Sequence, residues 1–348
     1  MLAACVQRVV PADLPPRSDP ASVAPSTPDG EAPTPAPPPT PAATPTPAAP
    51  AATPTPLTSV ALRELVEVDR IRAHLEALQR IADANGGHRA SGSSGFSASV
   101  EYVAARLETA GYRVERLPFE YAAGSGTNLV AELVGTEPAA VVIIGAHLDS
   151  TPNGPGINDN GSGVATVLTI AEALPSLAAP AATIRFAFWD AEESGRHGST
   201  AYVAGLTAAE RTRIDAYLNL DIIASPNFVR FVYDELGAAP GSAAITDLLG
   251  THFAAQGLAW GPIDLAGKTD HAAFSKAGIP TGGLFSGGTE PKTAAQAAAY
   301  GGTAGVPADP CIHRACDVIG SINDLVLAEM AEAAAHVLAR LAAGPGSG

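Results

Sequence analysis

Proline is the residue type that most limits how this chain of 348 residues can fold, because its distribution is very uneven. Seventeen of the 31 prolines lie between Pro11 and Pro56, in a segment made otherwise mainly of Ala and Thr. Proline fixes the backbone angle φ and has no N–H to donate, so this segment is excluded from helix and sheet interiors. We therefore expect residues 11–57 to form a disordered, extended linker. The folded domain is then expected at 58–342, followed by a flexible tail at 343–348.

The charge of the chain makes some classes of partner improbable. Lys and Arg total 20 against 35 Asp and Glu, which gives a formal net charge of −15. Nucleic acids and anionic lipid surfaces are bound through basic surfaces. We therefore expect no nucleic-acid partner. No apolar run approaches the length that a membrane-spanning helix needs.

The three cysteines bear on where the protein works. Cys311 and Cys316 favour a local disulfide and hence an oxidising compartment, since no second pair is present for a structural zinc site. Two reduced thiols in a cytosolic protein are the alternative. Cys5, in MLAACVQ, resembles the lipidated cysteine of a bacterial lipobox, although no charged and apolar signal regions precede it. Residues 1–10 are thus either a processed N-terminus with a lipid anchor or a chance match.

Helical and strand-like patterns alternate after residue 58. Apolar residues recur at helical spacing over 60–81, and 96–110 predicts a second amphipathic helix. Strand-type apolar runs follow at 112–118, 127–134, 141–146, 183–189, 217–222 and 227–233. Further helices are predicted at 162–173, 199–204, 243–256, 271–277 and 324–341. This alternation predicts an α/β three-layer sandwich, with a mostly parallel central sheet and helices on both faces.

Titratable side chains follow three of these strands at their carboxyl ends, where ligands collect in open α/β sheets. His147 follows the run 141–146, Glu192 and Glu193 follow the run 183–189, and Asp221 lies near the end of the run 217–222. Asp159, in INDNGSG, lies between the first two of these runs. Each residue alone is more often structural than functional. Together they would repel one another unless a metal neutralised them, and histidine with carboxylates suits zinc.

The motifs in this region resemble those of a known family. GAHLDS, INDNGSG, FWDAEESGRHGS, NLDII, KTDHAAF, GGLFSGG and DPCIHRACD occur in that order. The chain resembles the secreted bacterial di-zinc aminopeptidases of the aminopeptidase S type over about residues 68–341, including the early stretch NGGHRASGSSGFSASVEYV. The resemblance implies an enzyme outside the cell or at its surface, with peptides carrying a free N-terminus as substrates. We further expect a monomer.

The resemblance also implies a set of metal ligands for two zinc ions in each chain. His147 and Asp221 would hold one ion, Glu193 and His313 would hold the other, and Asp159 would bridge them. In the family, the peptide bond after the bridging residue, here the bond to Asn160, is often cis.

Other roles follow from the same resemblance. Glu192 would be the general base, because it is adjacent to a ligand without being one. Asp149 would orient His147 from behind. The disulfide between Cys311 and Cys316 would close a tight loop around the most distant ligand, His313.

Substrate recognition is expected at the same edge of the sheet. Glu192 and Asp221 are candidates for binding the α-amine. Ile222, Phe285 and Ile312 would line an apolar pocket that prefers large apolar N-terminal residues such as Leu. Close relatives carry Tyr, a hydrogen-bond donor, where this chain has Ile312, and Arg where it has Lys268.

The calcium site of some relatives is not supported, because Leu65 and Ala328 stand where ligands other than Asp324 would be needed. We expect His271 to be structural. Two alternatives to an aminopeptidase remain. One is another amide-directed enzyme of the family, a carboxypeptidase or a glutaminyl cyclase; the cyclase is disfavoured because it normally needs one zinc. The other is a surface binding protein that has lost activity.

Overall fold

The structure is a computed structural model that describes residues 54–122 and 124–343. The expectations for residues 1–10, Cys5 and nearly all of the linker and tail lie outside the described residues. Thr55, which the sequence assigns to the linker, pairs with Leu177, and its carbonyl accepts the N–H of Ala178 at 2.7 Å. No helix in the described part of the chain is both long and apolar enough to cross a membrane.

One sheet of eight strands forms the centre of this described part, in the order β1-β2-β4-β3-β5-β8-β6-β7. Its strands are β1 (Val114–Tyr121), β2 (Gly124–Leu133), β3 (Val141–His147), β4 (Thr183–Trp189), β5 (Ile214–Leu220), β6 (Phe231–Tyr233), β7 (Gly261–Ile263) and β8 (Thr281–Phe285). The four central strands β4, β3, β5 and β8 are parallel to one another. The pairs β1–β2, β2–β4 and β6–β8 are antiparallel, and β7 is parallel to β6. The predicted parallel sheet is therefore its centre, and the whole sheet is mixed.

Helices cover both faces of the sheet. They are α1 (Ser59–Leu65), α2 (Val68–Ala84), α3 (Ser94–Thr109), α4 (Ser162–Ala173), α5 (His197–Gly205), α6 (Ala208–Arg213), α7 (Ser242–Ala255), α8 (His271–Lys276), α9 (Ala294–Tyr300) and α10 (Asp324–Ala342). Along β3, Val142 and Ile144 pack into the core under α2, α4 and α10, while Val141 and Ile143 pack towards α5 and α8. Alternating side chains on a strand point to opposite faces, so both faces of β3 are buried. The α/β three-layer prediction is confirmed.

The sequence pattern misplaces some elements. The region 60–81 forms two helices, because α1 ends at Leu65 and the backbone is non-helical at Val66 and Glu67. Helix α1 packs on α10 and α2 packs on α4, so two helices with the same periodicity face different neighbours. The short strands β7 and β8 and the helices α6 and α9 were not predicted at all.

Candidate metal centre

The proposed ligands come from three neighbouring strand ends and two loops. His147 is the last residue of β3, Asp221 directly follows β5, and Glu193 lies four residues beyond β4. Because β4, β3 and β5 are adjacent and parallel, their carboxyl ends meet at one edge of the sheet. Asp159 lies in the irregular turn Ile157–Gly161 before α4, and His313 lies in the loop between α9 and α10.

Asp159 lies between two groups of these side chains. Its Oδ1 is 3.3 Å from His147 Nε2, which is also 3.4 Å from Asp221 Oδ1. Its Oδ2 is 3.1 Å from His313 Nε2, which is 3.0 Å from Glu193 Oε2. The two oxygens of one carboxylate thus contact two separate histidine–carboxylate pairs. The bond from Asp159 to Asn160 is cis, as expected.

These distances fit a metal with nitrogen and oxygen ligands. Zinc bonds of about 2.0–2.1 Å in tetrahedral geometry put neighbouring ligand atoms about 3.3 Å apart. The four contacts are all between 3.0 and 3.4 Å. Glu193 Oε1 and Asp221 Oδ1 are buried and have no hydrogen-bond donor among the described residues. Buried carboxylate oxygens without donors are expected where a cation would satisfy them.

The electrostatics lead to the same interpretation. Burial, with the nearby charge of Asp159, raises the pKa of Glu193 to about 7. Burial also raises the pKa of Glu192 well above its usual range, and the charges of Asp270 and Asp221 act in the same direction. Burial would raise the pKa of Asp159 as well, but hydrogen bonds from the two histidines lower it overall. A divalent cation would offset this concentration of buried negative charge.

Glu192 and Glu193 lie in an irregular turn after β4. Ala191, just before them, has a positive φ of 55°, a conformation that non-glycine residues rarely adopt. The amides of both glutamates donate to the carboxylate of Asp149, at 3.1 and 3.3 Å. The His147 Nδ1 atom is 3.1 Å from the backbone carbonyl oxygen of Asp149, within hydrogen-bond distance, and 3.6 Å from the Asp149 carboxylate oxygen Oδ1. Asp149 therefore links the His147 corner to the glutamate turn.

His313 lies in a short covalent loop. The disulfide joins Cys311 and Cys316, as predicted, with Cα atoms 5.2 Å apart. The amide of Cys311 donates to Asp309 Oδ1 at 2.7 Å. His313 itself has a φ of 59°, and its side chain is 53% exposed.

The predicted substrate residues are only partly brought together. A Cβ placed on Gly288 would lie 3.3 Å from the ring of Phe285 and 3.5 Å from Ile312 Cδ1, so these two side chains flank the same glycine. The carbonyl of Ile222 accepts hydrogen bonds from Ser286, the residue after Phe285. Lys268 is exposed, and its side chain makes no hydrogen bond or ion pair within the described ranges.

Two expected non-ligands have other partners. His271 is buried and pairs with Glu235 at 2.6 Å, outside the ligand cluster. Asp324 pairs with Arg72 on α2 at 2.5 Å.

The sequence of the described core matches a family of known proteins. The model of peptidase family M28 matches residues 128–338. This range includes the five proposed ligands and Glu192. The chain belongs to peptidase family M28.

Relatives of this M28 chain are longer than it is. It is 42% identical over 284 residues to leupeptin-inactivating enzyme 1 of Streptomyces exfoliatus, and the match covers 80% of this chain and 63% of that protein. It is 46% identical over 216 residues to an aminopeptidase of Pseudomonas aeruginosa strain UCBPP-PA14, covering 60% of this chain and 40% of the relative. The chain therefore spans less than two thirds of these relatives.

A solved structure supports the fold assignment. The aminopeptidase from Aneurinibacillus sp. strain AM-1 superposes with a TM-score of 0.67 at 17% identity, covering 83% of this M28 chain and 97% of that one. At this identity the match concerns the fold alone.

Several residues that hold the M28 site were missed by sequence reasoning. Thr269 Oγ1 donates to Asp221 Oδ2, and both oxygens of the fully buried Asp270 lack a hydrogen-bond donor among the described residues. Burial raises the pKa of Asp270 to about 7. Both residues are in the KTDHAAF motif, which was the one available signal. Arg89 and Asp317 also contact the ligand-bearing segment through its backbone.

Proposed function

We propose that this chain is a zinc aminopeptidase that binds two zinc ions and hydrolyses the N-terminal peptide bond of peptides. The observation that carries the proposal is the position of Asp159, whose two oxygens each contact a separate histidine–carboxylate pair. Membership of family M28 and the aminopeptidase relative support it.

The proposed zinc ligands are divided by this geometry. One ion would be held by His147 and Asp221, the other by His313 and Glu193, with Asp159 shared between them. Zinc bound there supplies Lewis acidity, which acidifies a water molecule and polarises a carbonyl group.

Glu192 is the proposed proton carrier. Its carboxylate is close enough to the ligand cluster for the charges of His147 and Asp221 to act on it. Its amide donates to Asp149, whereas its carboxylate makes no hydrogen bond or ion pair with the described residues. In the metal-free protein, burial and the nearby charges of Asp270 and Asp221 raise the pKa of Glu192 well above its usual range. The positive charge of bound zinc would oppose this shift and keep the carboxylate ionised, as a proton acceptor must be. It would accept the proton of the attacking water and transfer it to the nitrogen of the leaving amine.

Substrate selection would combine charge and apolar surface. Glu192 and Asp221 offer negative charge to a free α-amine, which an N-acylated peptide lacks. An apolar pocket formed by Ile222, Phe285 and Ile312 is supported by two observations: Phe285 and Ile312 flank Gly288, and the Ile222 carbonyl accepts a hydrogen bond from Ser286. We expect a preference for large apolar N-terminal residues such as Leu.

The proposed activity is tested by comparing leucine p-nitroanilide with its N-acetylated form. Hydrolysis of the free amine only, lost on chelation and restored by zinc, would support the proposal. Failure of fully metallated protein to cleave the free-amine substrate would contradict it. Release of a C-terminal residue from an N-blocked peptide would indicate a carboxypeptidase, and cyclisation of an N-terminal glutamine would indicate a glutaminyl cyclase.

The adjacent glutamates provide a matched pair of variants. Glu192→Gln keeps the shape but cannot accept a proton, so we expect kcat to fall by about 10²–10⁴ with zinc content unchanged. Glu193→Gln removes a proposed zinc ligand, so it should lower both kcat and zinc content. Loss of zinc in Glu192→Gln, or retention of its activity, would contradict the assignment.

We further propose that the protein acts outside the cell or at its surface, anchored through Cys5. The Cys311–Cys316 disulfide supports an oxidising compartment. Metabolic labelling with a radioactive fatty acid should mark the protein and should fail for Cys5→Ala. Absence of label in the wild-type protein would contradict the anchor.

A further inference from the structure

The segment 148–159 joins two proposed ligands, His147 at the end of β3 and Asp159 in the turn before α4. Apart from the turn at its end it has no helix or strand, so its peptide groups need partners outside regular secondary structure. Most of the segment is nevertheless buried. Its shape therefore depends on whichever side chains bind its carbonyl and amide groups.

Arg89 binds the carbonyl groups of this segment. It belongs to the NGGHRASG stretch, which the proposed reaction does not use, and it is completely buried. Its guanidinium donates to the carbonyl oxygens of Pro155 at 3.0 Å and Gly156 at 2.6 Å, and also to that of Leu148. Its own peptide group exchanges two hydrogen bonds with Ser150. One side chain thus links the start of the segment, at Leu148, to Pro155 and Gly156 near its end.

The site of contact is tightly packed. Gly156 has a φ of 63°, and a Cβ there would lie 2.4 Å from the carbonyl oxygen of Asp159 and 3.4 Å from a guanidinium nitrogen of Arg89. A side chain at this position would separate Arg89 from the carbonyl group that it binds.

Asp317 binds the amide groups at the other end of the segment. Its Oδ1 accepts the N–H of Asn158 at 2.7 Å, and its Oδ2 accepts the N–H of Asp159 at 3.0 Å. Its backbone carbonyl accepts the N–H of Ile157 at 3.3 Å. Asp317 is buried and directly follows Cys316, so the loop that carries His313 also holds Asp159.

We propose that Arg89 and Asp317 are positioning residues that clamp the segment 148–159 and so set the spacing between His147 and Asp159. The positive guanidinium of Arg89 binds the negative oxygen ends of carbonyl groups, and the negative carboxylate of Asp317 binds the positive hydrogen ends of amide groups. The clamp rests on the proposed function only in taking His147 and Asp159 as zinc ligands.

The negative charge of Asp317 also acts on the buried guanidinium of Arg89. Burial lowers the pKa of Arg89 to about 10, and the carboxylates of Asp149 and Asp317 act against this shift. A buried arginine without nearby carboxylates would be costly, and removing one partner of such a set leaves the others uncompensated.

The test is zinc affinity of the apo-protein, measured by competition with a fluorescent chelator. Outer-shell partners typically affect metal affinity by about 10- to 100-fold, so we expect losses of this size for Arg89→Met and Asp317→Asn. Arg89→Lys should lose less affinity than Arg89→Met, because lysine keeps the positive charge. It should still lose some, because a compact ammonium cannot bind three carbonyl groups as the planar guanidinium does. The rise in melting temperature on adding zinc should shrink in the same order.

The control is Arg230→Met, which breaks the buried ion pair with Glu329 on α10. This variant should be less stable than the wild type but should bind zinc equally well, which separates positioning from general stability. Wild-type zinc affinity in folded Arg89→Lys and Asp317→Asn would overturn the clamp, even if Arg89→Met failed to fold. A wild type that binds zinc but does not cleave peptides would refute the proposed function and leave the clamp testable. A wild type that binds no zinc would overturn both.

Discussion

His147 and His313 are proposed to do the same work, but the fold holds them in different ways. His147 ends a central strand that is buried on both faces, and its side chain is 2% exposed. His313 belongs to a loop outside the sheet, has a positive φ, and has a side chain that is 53% exposed. The first histidine is fixed by the hydrophobic core, whereas the second depends on local constraints.

The contrast shows how the proposed metal centre would be assembled from two kinds of support. The strand ends provide His147 and Asp221 wherever the parallel sheet forms. The loop needs the disulfide, the bond from Cys311 to Asp309 and the bonds from Asp317 to the Asp159 turn. We therefore expect the two halves of the centre to respond differently to the same kind of perturbation.

The largest difference should appear when each histidine is removed. His147→Ala takes a buried imidazole from between Asp159 and Asp221, and loss of one partner of a buried charged pair typically costs about 3–5 kcal/mol. His313→Ala removes a group whose side chain is 53% exposed, so solvent screens its pairs with Asp159 and Glu193 and we expect a smaller loss. Urea unfolding of the two metal-free variants and of the metal-free wild type measures both losses in free energy of unfolding. Equal losses would show that the sheet does not hold His147 more firmly than the loop holds His313.

A gain of activity is expected on the loop side of the centre. Ile312 precedes His313 and offers no hydrogen-bond donor, and removing one donor to a developing oxyanion typically costs about 10²–10³ in kcat. Ile312→Tyr should therefore raise kcat towards leucine p-nitroanilide by about 10² without changing zinc affinity. Ile312→Phe is the control, because it has the ring without the hydroxyl. The same gain in both variants would assign the effect to packing against Phe285.

The same contrast explains which parts of the site the sequence could predict. The residues at the strand ends were identifiable because β3, β4 and β5 are apolar runs, and His147, Glu193 and Asp221 lie at or shortly after their carboxyl ends. The disulfide itself followed from the two neighbouring cysteines, but the position of its loop beside the other ligands was recognised only through the motif DPCIHRACD, since spacing does not place a loop against the sheet. Strand β8 was missed because its glycines, in TGGLF, do not give an apolar run.

Residues that act through backbone contacts were beyond sequence reasoning. Arg89 binds carbonyl groups 59 to 67 residues away, and Asp317 binds amides 158 and 159 residues away. Periodicity reports only local structure, and peptide groups are the same in every residue. The break between α1 and α2 was missed for a related reason, because the helical pattern continues through Val66 although the neighbouring helix changes.

Opening the disulfide should affect only the His313 half. For so short a loop the chain-entropy contribution is about 2 kcal/mol, which corresponds to about 30-fold in the affinity for the ion that His313 is proposed to bind. The double variant Cys311→Ser with Cys316→Ser should therefore bind one zinc as tightly as the wild type and the second more weakly, in a calorimetric titration. Cys5→Ser should behave as the wild type. A uniform loss at both ions would mean that the loop and the sheet are not independent supports.

The smallest effect is expected from a polar contact on the buried side of the centre. Thr269 is buried, donates to Asp221 Oδ2, and accepts a hydrogen bond from Asn219 at 3.1 Å. Thr269→Val keeps the volume but leaves Asp221 without this donor, so we expect zinc affinity at the His147 ion to fall about 10-fold. Thr269→Ser keeps the hydroxyl and should restore most of the affinity. Because the core already fixes His147, the loss should be smaller than that caused by opening the disulfide. A larger loss in Thr269→Val would show that the buried half relies on its polar contacts as much as the exposed half relies on its covalent loop.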